Sequence, residues 1–284
     1  MNLVVVGDTL LDVDLVGTTT RLCPDAPVPV VDLTSESKRP GGAGLAAMLA
    51  PADDVTLVTA IADDVDGDQL RKALGDMTIV AGPSWAATPV KTRVRCDGQS
   101  LARIDRGGKG DPVVTDDMLD AVVAADAVLV SDYGRGMTRN ERLRAVLGNH
   151  RLVVWDPHPR GASPVAGVCL VTPNSEEAVS ACGGRLVEAA GILRDMWLAD
   201  AVVVTTGSDG AVLDIGDGPL HVAAPPAHVV DPCGAGDCFA ASVATGLMHG
   251  ASLFEAVRSG VDAASRFLAA GGVSGVGVVE GETR

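Results

Sequence analysis

Between residues 231 and 242 the chain reads Asp-Pro-Cys-Gly-Ala-Gly-Asp-Cys-Phe-Ala-Ala-Ser, a turn of small residues that opens directly into an apolar helical stretch. At a helix start the first backbone N–H groups lack intrahelical acceptors, and the helix dipole adds positive character there. Gly234 and Gly236, either side of Ala235, let an anion approach that backbone closely. Such a turn can stabilise the charge that develops on a phosphoryl group in transfer. Asp237 then stands where a carboxylate can take the proton of an attacking hydroxyl. Read alone, Asp237 is equally a helix N-cap, a position that favours Asp. The turn is not a Walker loop, because no Lys-Ser/Thr follows its glycines.

Other groups of chemical interest lie upstream. Asn174 and Glu177, at i and i+3 of a helix start, share a face and read as paired oxygen ligands or as a capping pair. Thr206 to Gly210 (Thr-Gly-Ser-Asp-Gly) reads as a turn from a strand into a hairpin. Asp8 and Asp12 follow the first apolar run, where they serve a ligand or cap a turn. Arg93 and Arg95 alternate on one predicted strand and should project together, with Arg103 on the next and Arg21 on a separate segment. Arginines so grouped suit a phosphate or a solvated face. Gly42-Ala-Gly44-Leu-Ala-Ala47 imitates a dinucleotide fingerprint, but charged Glu36 to Pro40 precede it instead of a strand, so a dehydrogenase is set aside.

The elements that must hold these residues are legible in outline. Short apolar runs at 3–7, 55–61, 127–131, 152–156, 168–171 and 201–205 read as strands buried on both faces. Helical stretches are expected at 42–50, 66–75, 115–124, 139–149, 174–199 in two pieces, 235–249 and 252–270. The alternation predicts an α/β fold, a doubly wound and mostly parallel sheet. Residues 12–36 and 89–105 interrupt it, the latter as a hairpin about Asp97-Gly98. They predict a small β lid over one single domain spanning 1–284.

With 284 residues, 47% apolar, a sizeable core is assured. A net charge of −15 and only 2% aromatic residues argue against nucleic acid and anionic membranes as partners. No apolar run is long enough to span a bilayer, and the N-terminus lacks signal-peptide character. The six Cys, without a Cys-x-x-Cys pair, fit reduced thiols in a cytoplasmic protein.

Taken in order, these segments resemble the ribokinase/PfkB carbohydrate kinases: Gly41-Gly42, Asn174-Ser-Glu-Glu177, Thr206 to Gly210 and Asp231-Pro-Cys-Gly-Ala-Gly-Asp237. The resemblance implies a ribokinase-like fold and ATP as phosphoryl donor. It implies Asp237 as base, the N–H groups of Gly234, Ala235, Gly236 and Asp237 as anion hole, and a nucleotide beside Thr206, Gly207 and Gly210. Asn174 and Glu177 would order Mg²⁺ through water. Asp8, Asp12, Gly41 and Gly42 would hold a sugar. It also implies a monovalent cation, K⁺, near Asp231 and Ser274, and a homodimer.

Finer stretches are similar to the heptose-7-phosphate kinases: Gly7 to Asp12, Arg21 to Val30, Arg39 to Gly42, Lys91-Thr-Arg93, Leu101 to Asp105, Ser131 to Gly136 and Asp156-Pro157. That likeness implies phosphorylation of the C1 hydroxyl of D-glycero-D-manno-heptose 7-phosphate, with Arg93 and Arg103 on the sugar's phosphate. The nucleotidyl-transfer half of the bifunctional heptose enzymes is expected to be absent. Leu45 stands where that pattern has Asn, and Asp156 to Gly161 (Asp-Pro-His-Pro-Arg-Gly) replaces Asp-Pro-Lys-Gly. These departures keep open another PfkB-type sugar or nucleoside kinase, and a non-catalytic sugar- or nucleotide-binding regulator.

Overall fold

The computed structural model describes residues 1–96, 99–108, 110–227, 229, 231–276 and 279–280. In chain order its strands are β1 (Asn2–Gly7), β2 (Thr9–Leu22), β3 (Pro29–Gly42), β4 (Asp54–Ile61), β5 (Thr78–Pro83), β6 (Val90–Cys96), β7 (Gln99–Arg106), β8 (Ala127–Ser131), β9 (Val153–Asp156), β10 (Leu170–Val171), β11 (Val202–Thr205), β12 (Ala211–Asp214), β13 (Pro219–Val222) and β14 (Val279–Glu280). The helices are α1 (Ala43–Leu49), α2 (Val65–Leu74), α3 (Asp116–Ala124), α4 (Glu141–Leu147), α5 (Ser175–Cys182), α6 (Leu186–Trp197), α7 (Ala235–Met248) and α8 (Leu253–Ala269).

Nine strands form the main sheet in the order β13-β12-β11-β10-β9-β8-β1-β4-β5. It is parallel from β5 to β11, and β12 and β13 add antiparallel strands at one edge. Strand side chains alternate between two cores. Leu3, Val5, Leu57, Leu129 and Val203 face one core with α1, α2, α7 and α8. Val4, Val6, Val58, Val130 and Trp155 face the other with α3 to α6. Helices on both faces explain why these strands read as unbroken apolar runs.

Helix starts differ in a way that matters for the site. Asp64, Thr115, Asn140, Asn174 and Ser252 each accept a first-turn N–H with their side chains, starting α2, α3, α4, α5 and α8. α1 and α7 begin instead on Gly42 and Gly234, which have no side chain to do so. α7 is buried nearly all round, and its Ala-rich surface lets α8 pack close.

A second sheet runs β14-β3-β2-β6-β7. β2 and β3 pair antiparallel from Thr9↔Gly42 out to Leu22↔Pro29, and β6 adds parallel to β2. The near ends of β2 and β3 are buried against the main sheet, whereas all of β7 is exposed. The two interrupting segments thus come together as expected, with β2 starting earlier, at Thr9. The expected turn at Asp97-Gly98 lies outside the described residues.

Three elements went unforeseen: β5, short and closed by Gly82-Pro83; β13, with only Val222 buried; and β14. The stretch expected as one helix over 139–149 divides into a 3₁₀ turn at 137–139 and α4, because Asn140 caps a new start. Among the described residues no helix is long and apolar enough to cross a membrane.

Candidate active site

β1 and β8 are neighbours, and the chain turns opposite ways beyond them, so a crevice opens at their carboxyl ends. A cleft of about 190 Å³ lies there, lined by Asp132, Tyr133, Asp156, Asn174, Glu177 and Asp237 among others. Gly236 and Phe239 also line an adjoining cavity of about 380 Å³. Its walls are the Gly207–Gly210 turn, Pro225-Pro226 and the apolar faces of α7 and α8 at Val261, Ala264 and Leu268. That size and lining suit a flat heteroaromatic ligand.

The start of α7 joins the two spaces. Gly234 takes the left-handed conformation, φ 83°, which is strained for a residue with a Cβ. Among the described residues the N–H groups of Gly234, Gly236 and Asp237 find no backbone acceptor, whereas Ala235 N–H donates to Pro232 O at 3.2 Å. The anion hole expected from 234–237 therefore loses the Ala235 donor. A Cβ at Gly236 would meet nothing within 4 Å, so the backbone there faces open space. Asp237 is 6% exposed. Its Oδ1 accepts from the Tyr133 hydroxyl at 2.8 Å. Burial first, then the Asp12 charge, raise its pKa to about 7, while the Tyr133 hydrogen bond opposes the rise.

Asp12 projects from β2 towards the same space. A Cβ at Gly41 would stand 2.4 Å from Asp12 Oδ2, so only glycine lets that carboxylate lie there. Arg93 Nη1 donates to Asp12 Oδ1 at 3.0 Å, and its Nη2 to Cys233 Sγ at 3.4 Å. Arg103, opposite Arg93 across β6–β7, holds Asp105 at 2.5 Å. Both arginines assigned to a sugar phosphate thus carry carboxylate partners, because alternate positions of β2, β6 and β7 bring acids and bases onto one face. Lys91 is beside them, its pKa lowered first by burial and also by Arg103 and Arg93.

Two expectations need correction. Asp8 does not present its carboxylate to a sugar. It accepts from the N–H groups of Arg135, Met137 and Tyr133, because β1 ends next to the loop leaving β8. Asp231 is not open to a monovalent cation. Arg95 bonds its Oδ2, and the Cys233 N–H donates to its Oδ1 at 3.0 Å. Ser274 is exposed on the 3₁₀ turn 272–275.

Asn174 and Glu177 cap each other: Glu177 N–H donates to Asn174 Oδ1 at 3.0 Å and Asn174 N–H to Glu177 Oε2 at 2.9 Å. Both still line the cleft, and burial raises the Glu177 pKa. Among the described residues Thr206 Oγ1 is buried without a partner, and Gly207 and Gly210 border the larger cavity.

Residue-by-residue reading passed over Tyr133, Asp156 and His158 as site residues. Asp156 ends β9 and accepts from Thr172 Oγ1 at 2.9 Å. Burial, then Asp237 and Glu177, push its pKa well up. His158 is lowered to about 4 by burial and by Arg160, Lys91 and Arg135, so it is neutral near pH 7. Two signals pointed to them: Tyr133 and Asp156 lie in stretches that resemble the heptose-7-phosphate kinases, and Tyr133, Asp156 and His158 follow apolar runs, where parallel strands deliver residues to a crevice.

An uncapped helix start, a buried carboxylate with a raised pKa and an apolar cavity alongside suit the transfer of a phosphoryl group to an alcohol. The chain belongs to the pfkB family of carbohydrate kinases, whose pattern matches residues 1–276. It is a sugar kinase, which works with ATP and a divalent metal. The bifunctional protein HldE of Streptomyces coelicolor is 49% identical over 287 residues, covering 96% of this chain and 61% of that protein. HldE of Pelobacter propionicus is 31% identical, covering 90% and 57%. The chain therefore spans about three-fifths of the length of these relatives. The ribokinase of Thermotoga maritima superposes with TM-score 0.76 at 20% identity, covering 94% of this chain and 92% of that one, a likeness of fold.

Proposed function

We propose that the chain transfers the γ-phosphoryl group of ATP to the C1 hydroxyl of D-glycero-D-manno-heptose 7-phosphate, giving the 1,7-bisphosphate. The observation that carries the chemistry is Asp237: a buried carboxylate, raised to about 7, in the first turn of a helix where the Gly236 and Asp237 N–H groups have no backbone acceptor among the described residues. A base with a pKa near the working pH combines availability with strength. Support for the heptose comes from the segments 21–30, 91–93, 101–105 and 131–136, which resemble heptose-7-phosphate kinases.

In this reading Asp12, with Gly41 and Gly42 behind it, holds sugar hydroxyls. The N–H groups of Gly234, Gly236 and Asp237 receive the γ-phosphate, and the base of ATP lies in the cavity beside Gly207 and Gly210. Lys91, Arg93 and Arg103 receive the sugar's own phosphate, which displaces Asp12 and Asp105 from the arginines. Among the described residues no three Asp, Glu, His or Cys form a direct metal cluster. Asn174, Glu177 and Asp156 fit instead as acceptors for metal-bound water. Mg²⁺, when bound, offsets the triphosphate charge. Asp231 does not fit K⁺, and no step is routed through that ion. The second sheet is a lid that excludes water on closing. A homodimer joined through the lids, in a cytoplasmic setting, completes the reading.

Leu45 favours a second reading, a different sugar. It is 2% exposed and packs at the α7 start, where a Cβ on Gly234 would meet its Cδ2 at 3.2 Å. An apolar group there gives no hydrogen bond to a hydroxyl. A panel of acceptors with ATP, read as ADP release, decides. The highest kcat/KM is expected for the heptose 7-phosphate; equal or faster turnover of ribose, fructose or fructose 6-phosphate removes the heptose assignment.

A further inference from the structure

The loop after β8 is held from behind by one carboxylate and holds another in front. Asp8 accepts from the N–H groups of Arg135 at 2.8 Å, Met137 at 3.2 Å and Tyr133 at 3.4 Å. Asp132 fastens the same loop, accepting from Gly134 N–H at 2.7 Å and the Thr138 hydroxyl at 2.8 Å. The ring of Tyr133, the chain's single tyrosine, is fixed between them. It stacks on His158 with centroids 6.2 Å apart and planes 25° from parallel. Its Cδ2 lies 3.3 Å from where a Gly42 Cβ would be. A ring so confined can aim its hydroxyl in few directions, and it aims at Asp237 Oδ1, 2.8 Å away.

We infer that Tyr133 is the positioning residue of the base: its hydroxyl fixes Oδ1 of Asp237 and leaves Oδ2 to the acceptor hydroxyl, while Asp8 sets the tyrosine through the loop backbone. This rests on Asp237 being the base. Among the described residues Oδ2 has no protein donor, and it is not sealed from the cleft. Burial, followed by the Asp237 charge, pushes Tyr133 well above the ordinary tyrosine pKa, so it donates at any working pH. In the transfer step the acceptor's proton passes to Asp237 as its oxygen bonds the γ-phosphorus. The bond from that phosphorus to the bridging oxygen breaks, with its electron pair leaving on ADP. Tyr133 keeps its proton throughout.

Other charges face Asp237. Asp12 on β2 and Lys91 on β6 act on it, Asp156 at the end of β9 feels it, and Cys233 and Cys238 flank it on the loop and α7. Tyr133 is the one side chain hydrogen-bonded to its carboxylate among the described residues. A bond to a carboxylate favours the charged form, so its removal raises the pKa.

The test is the pH dependence of kcat for Tyr133→Phe beside Asp237→Asn. The acceptor is the heptose 7-phosphate or, if the panel returns a faster sugar, that sugar. Tyr133→Phe should move the acidic limb up by about one pH unit, which lowers kcat about fivefold at pH 7 and about tenfold well below it. Both KM values should stay within about twofold, and the loss should shrink at higher pH. An unmoved limb overturns the inference, whether kcat is unchanged or falls equally at every pH. If Tyr133→Phe no longer binds ATP, Asp8→Asn supplies the second measurement: a smaller upward move supports the inference, and none overturns it. Undiminished turnover by Asp237→Asn removes the base itself, whereas a dead Asp237→Asn beside an unshifted Tyr133→Phe removes only the tyrosine's role.

Discussion

Arg103 and Arg93 face each other across β6–β7, yet their circumstances differ. Arg93 is mostly buried on Asp12, whereas Arg103 is more than half exposed and shares Asp105 with solvent. A phosphate can therefore take Arg103 from Asp105 at little cost, since exposed pairs contribute about 0–1 kcal/mol. Arg103→Ala should raise KM for the heptose 7-phosphate about tenfold or more and leave KM for unphosphorylated sugars unchanged, measured by ADP release. Equal effects on both would place Arg103 outside the phosphate subsite. Asp237 was legible because its neighbours in sequence are also its neighbours in space. Asp8 was misread because its partners, the N–H groups of residues 133–137, lie more than a hundred positions away. Tyr133 escaped for the same reason: only the adjacency of β1, β8 and α7 gives its hydroxyl a partner.

The loop 231–234 and strand β6 act together at the scale of elements. Arg95 bridges them, bonded to Asp231 on the loop and 3.6 Å from Asp14 on β2, which in turn bonds Arg39 on β3. A fixed guanidinium thus occupies the carboxylate at which a mobile cation was expected. Replacing K⁺ by choline should change kcat less than about twofold, within the ordinary scatter of screened surface effects. Arg95→Met should lower kcat and gain activation by K⁺. Strong K⁺ activation of the unsubstituted chain would show that the guanidinium leaves when the site is loaded. Main-sheet strands were readable because burial on both faces makes them uniformly apolar. β13 and β14 were not, since edge pairing needs backbone groups alone and leaves little pattern in side chains. The two separated segments do join in one small sheet, although its outer apolar residues, Val16, Leu22, Leu33 and Ile104, stay exposed.

For the molecule as a whole, the site opposes stability. The folded chain raises the Asp237 pKa from 3.8 to about 7, so it binds this proton more tightly than the unfolded chain does. The associated stability is complete below pH 3.8 and is lost as pH rises through about 7. Asp237→Asn removes the titration. By urea unfolding it should exceed the unsubstituted chain at pH 8 by up to about 4 kcal/mol, an upper bound at ~1.4 kcal/mol per pKa unit. The difference should narrow towards pH 4, and a variant no more stable at pH 8 would contradict the burial cost. Excess stability in an inactive variant is the usual mark of a site held against its own preference. The net charge of −15 adds a second opposition, since both substrates proposed are anions. Lys91, Arg93 and Arg103, neighbours on β6 and β7, are the local positive charge set against it.

β14 carries one more consequence. Its pairing with β3, Val279 opposite Lys38 and Glu280 opposite Ser37, ties residues 279–280 to the second sheet rather than to the nine-stranded one. Whatever is attached beyond Glu280 is leashed to that sheet. With the second sheet acting as the proposed lid, a fluorophore fixed there should change its signal when substrates are added, and a bulky tag there should slow turnover.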